Sequence, residues 1–354
     1  MEYDVAYVKK NMEKFVRRSI NNAHPRPDWH KIRPDEIAEI CCSCKNLRRE
    51  VITLTAGGFP VYAMTYGPEL PEQRSITWPS ATGSPRPALY SQKPVQTILI
   101  AGGIHGEETE GISTILNLIT LLETGKDLRG EPNPELVELC SHYRLVMIPC
   151  VNMDGRAVAP DCLMGCTKAD YAPILSIMDD GTLMTWPALK EYFPMPMDRL
   201  IQLGSYYNAD GYNIQLDAAP GNIKTAEANA LLQLAHRERI DFFLNCHSAT
   251  FVPHFIPPSA LNYPENVATI TEIQTRWQTL MGIPVTDGFA NRDKQTDINA
   301  AMTLATGAPV MTFEFAALLV EPYENKLFCG YKIIKAVLQQ GLEKPLCNRE
   351  KLVL

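Results

Sequence analysis

The stretch Ile98-Leu99-Ile100-Ala101-Gly102-Gly103-Ile104-His105-Gly106-Glu107-Glu108 constrains this chain more than any other part of it. Its apolar, β-branched start reads as a buried strand, and Ile112, Ile115, Leu116, Ile119 and Leu122 follow at helical spacing. Between the two, Gly102-Gly103 lets the backbone turn sharply. His105 and Glu108 therefore fall at a strand-to-helix junction, on the carboxyl edge of a sheet, where open α/β folds place their ligands. A His and a Glu three residues apart have the form of a metal-ligand pair. The spacing alone also arises by chance, and Glu107, Glu108 and Glu110 equally suit the positive end of a helix dipole.

Two further strand ends deliver the same kind of residue. The apolar run from Asp241 to Cys246 stops at His247-Ser248, and the run from Pro309 to Phe313 stops at Glu314. Two imidazoles and one carboxylate, here His105, His247 and Glu108, suffice as the protein ligands of a catalytic zinc, with the fourth position left to water. A second carboxylate nearby then serves as general base, and Glu314 is the candidate. Taken singly, Glu314 fits a strand-end acid paired with an arginine and His247 a core histidine; four such residues at strand ends are hard to explain as coincidence. The other histidines are less well placed. His24 and His30 lie in a Pro-rich connector, His142 precedes a strand, His236 sits in a helix beside charged neighbours, and His254 follows no clear strand end.

Composition sets the class. At 354 residues, 45% hydrophobic and 21% charged, the chain has the make-up of a soluble globular protein able to bury a sizeable core. A net charge of -7 argues against a nucleic-acid or anionic-membrane partner, both of which leave a basic footprint. No apolar run reaches the ~20 residues that span a bilayer, and the N-terminus lacks the basic-then-apolar layout of a secretory signal. With ten Cys and no export signal, the expected compartment is the cytoplasm. Cys41, Cys42 and Cys44 are too clustered to surround one ion, and nothing completes a site with Cys162 and Cys166.

The rest of the pattern is coarser. Val5 to Ile20 reads as a docking helix, Ala23 to Pro34 as a connector, and Asp35 to Lys45 as a short helix. Glu50 to Tyr66 reads as a hairpin turning at Gly57-Gly58, and Thr77 to Val95 as a surface loop. Arg144 to Val151 is a strand running into the turn Asn152-Met153-Asp154-Gly155-Arg156. From 157 to 204 no periodicity persists, so this part is expected to be an irregular insertion. Thr225 to Arg239 and Tyr331 to Leu342 read as amphipathic helices. The expected organisation is a helical extension over 1-48 packed on a catalytic domain over 49-354.

The ordered set of HGEE, NMDGR, a T-x-E helix start, NCHS and TFE resembles the zinc carboxypeptidases of the pancreatic type with their bacterial and deacylase relatives. The resemblance runs from about Thr97 to Phe315. It implies a three-layer α/β/α sandwich on a mixed, mainly eight-stranded sheet. It implies one Zn2+ per chain held by His105, Glu108 and His247, with Glu314 as general base. The substrate it implies is a peptide, or an N-acyl amino acid as in the aspartoacylase-like and succinylglutamate desuccinylase-like zinc deacylases; a catalytically silent binding relative is the reading from another class. The oligomeric state is not legible.

One departure bears on the substrate. Where the family carries Asn-Arg to grip a peptide's terminal carboxylate, this chain has Asn213, Gln215 and Leu216, and an aliphatic side chain cannot form the bidentate pair that a guanidinium makes. Asn213 and Gln215 remain candidates for substrate binding, and Arg292 and Lys294, upstream of Glu314, are the cations expected to substitute. For the oxyanion-stabilising arginine, spacing favours Arg199, with Lys168 and Arg156 behind it.

Overall fold

The computed structural model describes residues 3–20, 24–70, 93–167, 170, 172, 174–219, 221–248, 250–286, 288–289 and 296–347. Their main sheet has seven strands in the order β1-β2-β4-β3-β8-β10-β9. These are β1 (Arg48–Leu54), β2 (Pro60–Tyr66), β3 (Thr97–Gly102), β4 (Arg144–Ile148), β8 (Phe242–Ser248), β9 (His254–Phe255) and β10 (Val310–Phe315). The four central strands β4, β3, β8 and β10 are parallel, and β1, β2 and β9 add antiparallel edges. The sheet is therefore mixed, as expected, with seven described strands where eight were implied.

Burial explains why the central strands read as continuous apolar runs instead of alternating ones. Every residue of β3 is buried, because helices cover both faces. Ile98 and Ile100 face one core cluster with Ile112, Ile115 and Ile333, while Leu99 and Ala101 face another with Leu231 and Met302. The helices are α1 (Val5–Met12), α2 (Pro34–Ser43), α3 (Thr109–Thr124), α4 (Pro134–Ser141), α5 (Met153–Val158), α6 (Ala226–Glu238), α7 (Pro264–Met281), α8 (Ile298–Thr306) and α9 (Tyr323–Glu343). Helix α3, buried along most of its length, ends at a left-handed Gly125 with φ 81°.

Several elements differ from the sequence reading for identifiable reasons. Helix α1 stops at Met12 instead of near Ile20. Buried Asn11 turns inward to donate to the Gly57 carbonyl at 2.9 Å, and the Arg18 N–H then bonds Val158 O at 2.9 Å. The turn at Asn152 is the cap of a short helix, with Asn152 Oδ1 accepting from Gly155 N. Helix α9 begins two turns before Tyr331. Its first turns hide Lys326, whose buried amine donates to the carbonyls of Ala316, Ala317 and Leu319, and that charge breaks the apolar stripe. The insertion carries a three-stranded sheet of β5 (Ser176–Met178), β6 (Leu183–Met184) and β7 (Leu200–Gln202), strands too short to show a period. Most of the expected loop from Thr77 to Val95 lies outside the described residues.

Candidate metal centre

Parallel pairing sets the site. Gly102 at the end of β3 is the register partner of Cys246, and Glu314 on β10 is the partner of His247 on β8. Three adjacent strands thus bring their carboxyl ends to one edge. After β3, Gly103 takes a φ of +59°, and Gly106 passes so close to the backbone of Gly155 and Arg156 that any Cβ there would collide with it. The loop is thereby pressed against the N-terminal turn of α5, with His105 and Glu108 turned inward.

His105, Glu108 and His247 converge, their ligand atoms all within 4.8 Å of one another and all three residues buried. His105 Nδ1 lies 2.8 Å from Glu108 Oε1, and His247 Nδ1 lies 3.0 Å from Glu108 Oε2. His105 Nε2 meets Asn213 Oδ1 at 3.3 Å, which fixes the ring as an outer partner fixes a metal-ligating imidazole. Tyr206 stacks on the same ring at 3.6 Å between centroids and 15° between planes.

The electrostatics agree with a cation's seat. Burial opposes the charge on Glu108, but the two imidazoles prevail and hold it near about 2. Burial would lower His247, yet Glu108, Glu314 and Asp297 around it raise it to about 9. Burial lowers His105 in spite of Glu108. Glu107, buried beside Glu108, is pushed up to about 8 and is held by the Ser205 hydroxyl at 3.1 Å. His247 Nε2 has no hydrogen-bond partner among the described residues. Two imidazole nitrogens and a carboxylate, buried together around an excess of acid, fit zinc.

Below the cluster the sheet is polar. Asn245 and Thr312 each precede a site residue by two positions, so they share its face. Asn245 Nδ2 donates to Gln215 Oε1 (3.1 Å) and Asn299 Oδ1 (2.9 Å), and Asn299 Nδ2 donates to Thr312 Oγ1 (2.9 Å). Gln215 Nε2 and Asn299 Nδ2 both reach Asp297 Oδ2, at 2.7 and 3.2 Å. Gln215, expected to bind substrate, thus spends both ends of its amide on protein partners; Asn213 uses its Oδ1 on His105 and on Gln215 N (3.0 Å), while its buried Nδ2 has no hydrogen-bond partner among the described residues. Period two in β8 and β10 was the available signal for Asn245 and Thr312. Nothing in the sequence marked Tyr206 or Asp297.

The cationic candidates separate. Arg156 is fully buried and donates to the carbonyls of Gly106 (2.7 Å), Ala159 (2.8 Å) and Pro160, so it braces the metal loop. Arg199 is half-exposed in the insertion and faces Asp179 at 3.5 Å, which is not a residue of the cluster. Lys168, Arg292 and Lys294 lie outside the described residues.

Comparison with known proteins places the chain. A family model described as zinc carboxypeptidase matches residues 57–172, roughly a third of the chain, which includes His105 and Glu108 and stops short of His247. Among solved structures, a metallo-carboxypeptidase from Burkholderia cenocepacia superposes with a TM-score of 0.56 at 14% identity, over 87% of this chain and 68% of that one. A metallo-carboxypeptidase from Pseudomonas aeruginosa, in complex with (2-guanidinoethylmercapto)succinic acid, gives 0.53 at 12%, over 87% and 67%. Thrombin activatable fibrinolysis inhibitor gives 0.51 at 14%, over 94% and 81%. At such identities the likeness carries the fold, and the fold is that of the metallo-carboxypeptidases. No curated protein sequence matches the chain.

Proposed function

From a chain that is zinc-carboxypeptidase-like in fold and in its matched segment, we propose a zinc-dependent hydrolase that cleaves a terminal peptide or amide bond. His105, Glu108 and His247 hold one Zn2+, and residues 49–354 form the catalytic domain on which 1–48 packs. When bound, the ion supplies Lewis acidity toward a carbonyl and makes water more acidic. Glu314, half-buried beside His247, takes the proton from the attacking water and returns it to the leaving amine. Asn213 keeps the His105 ring in place, and Arg156 and Gly106 keep the loop in place. The single observation that carries this reading is the buried convergence of His105, Glu108 and His247 with Glu314 in register beside it.

Substrate recognition departs from carboxylate capture by arginine. Leu216 stands where the guanidinium is expected, so the acidic end of a peptide or N-acyl amino acid falls to Arg292 and Lys294. For Arg199, a role at the oxyanion requires it to leave Asp179 and move to the cluster. The same neutral segment favours, as a second reading, a deacylase of N-acyl amino acids, and a screen of both substrate classes separates the two. No helix among the described residues is long and apolar enough to cross a membrane; a cytoplasmic location belongs to the proposal.

Glu314→Gln tests the mechanism. Turnover of whichever peptide or N-acyl amino acid the screen identifies is expected to fall by roughly 10²–10⁴-fold, while zinc content stays that of the unaltered protein. Retained turnover would falsify the role of Glu314.

A further inference from the structure

Away from the metal edge, residues from 17–20 and 24–33, between α1 and α2, line a cavity of about 570 Å³ together with Glu36 and the loop at Pro160 to Cys162. Arg17, Arg18, Arg26, Lys31 and Arg33 line it. Facing these five cations are three carboxylates, Asp28, Glu36 and Asp161, which leaves an excess of two positive charges. Two of the acids, Glu36 and Asp161, are also committed. Glu36 accepts from the backbone of Ile32 and Arg33, at 2.9 Å each, and from Arg26 at 2.8 Å. Asp161 is shared among Arg17, Arg26 (3.5 Å) and Arg33 (2.8 Å). Arg18 donates to the Leu203 carbonyl through one nitrogen, and its buried Nη1 has no hydrogen-bond partner among the described residues.

Gathering partly buried guanidiniums around one shared carboxylate costs stability unless something neutralises them. The strain shows at Arg17, where burial, with Arg33 and Arg26 close by, lowers the guanidinium to about 10. Guanidinium forks match phosphate and carboxylate groups, and the volume is that of a small organic ligand, beyond the needs of a single ion. The wall is already rigid, since Arg156 holds the carbonyls of Ala159 and Pro160, so little ordering would be required on binding. We infer that this cavity binds a polyvalent oxyanion, a small molecule bearing phosphate or several carboxylates. The inference stands on the cavity and its charges and is independent of the metal reading.

The test is isothermal titration of the full chain with inorganic phosphate and, separately, with citrate, ionic strength being held constant with chloride. Saturable binding of at least one is expected, weakened about tenfold or more by Arg17→Gln and unchanged by Lys335→Gln, which alters a lysine paired with Glu135 on the C-terminal helix. Binding of phosphate alone assigns a phosphorylated ligand; binding of citrate alone assigns a polycarboxylate. Should Arg17→Gln fail to fold by circular dichroism, Arg33→Gln is titrated in its place. No saturable heat with either anion, or equal affinity in the arginine variant, overturns the site.

Discussion

The metal edge and the insertion from 157 to 204 adjoin one another, meeting at Ser205, yet they hold their side chains by different means. At the edge, parallel register fixes His247 and Glu314 side by side, and nearly every neighbour is buried. In the insertion, short strands rest on a small cluster of Met178, Met184, Leu189, Met195 and Tyr207, while Trp186, Phe193, Met197 and Ile201 stay exposed. Among the described residues, Gly106 N bonds Ser205 O at 2.9 Å and the Ser205 hydroxyl bonds Glu107 at the insertion's end, while Arg156 ties Gly106 to Ala159 and Pro160 at its start. A site that must hold donors to fractions of an ångström is built on the ladder of the sheet, and the loosely packed part is left beside it.

If that contrast is right, substitutions at the edge will be costly and those in the insertion cheap. His247→Ala is expected to have the largest effect, lowering zinc affinity by more than the roughly 10–100-fold that loss of an outer-shell partner costs, as read by competition with a chelator. The metal-free imidazole, raised to about 9 by Glu108, Glu314 and Asp297, must shed its proton to bind the ion. Zinc affinity should therefore climb as pH rises toward about 9, and adding zinc near neutral pH should release protons. An unchanged pH on mixing would remove His247 from the ligand set.

Glu227, at the start of α6 where the chain returns to the sheet, gives the next effect. Burial, with Asp154 nearby, raises its carboxyl to about 7. The charge is favoured in the unfolded chain above its ordinary value and resisted in the folded one until about 7, so stability falls as pH rises through that window. Glu227→Gln should then stabilise the protein at pH 8 by up to about 3 kcal/mol and do little at pH 4, as read from urea midpoints. A variant destabilised equally at both values would show that its bond to Asn208, 3.3 Å in length, matters more than the charge.

At the junction itself, Ser205→Ala should cost about 0.5–1.5 kcal/mol and sharpen the comparison by showing how firmly the insertion is tied to the metal loop. An effect near zero would mean that the Gly106–Ser205 backbone bond and the Arg156 bridge hold the junction without the hydroxyl. Smallest of all should be Trp186→Ser, on the exposed face of the insertion at 71% accessibility, which is expected to stay within about 0.5 kcal/mol. A loss several times larger would show that this face is packed in solution.

The same contrast governs what could be read in advance. Strand ends were legible because a buried run followed by a polar residue is a local pattern, and so the four residues at the edge stood out. The extent of α1 and α9 was not, because Asn11 and Lys326 are polar residues whose partners lie outside their own helices, at Gly57 and near Ala316. The small sheet of the insertion escaped because strands of two or three residues carry no period. Gln215 and Arg156 show the remaining limit. Residue type suggested binding and oxyanion roles, and only the fold revealed that the Gln215 amide is taken up by Asn245 and Asp297 and the terminal nitrogens of Arg156 by Gly106, Ala159 and Pro160.

By itself, then, the sequence determined which chemistry the chain can offer: two imidazoles and two carboxylates at the ends of apolar runs, and a leucine where a guanidinium is expected. The tertiary structure decided which of these groups meet, which cations are already committed, and where surplus arginines gather around Asp161. The physical reason is range. Periods of 2 and 3.6 residues are written locally, whereas the order in which strands lie side by side brings together groups more than a hundred residues apart.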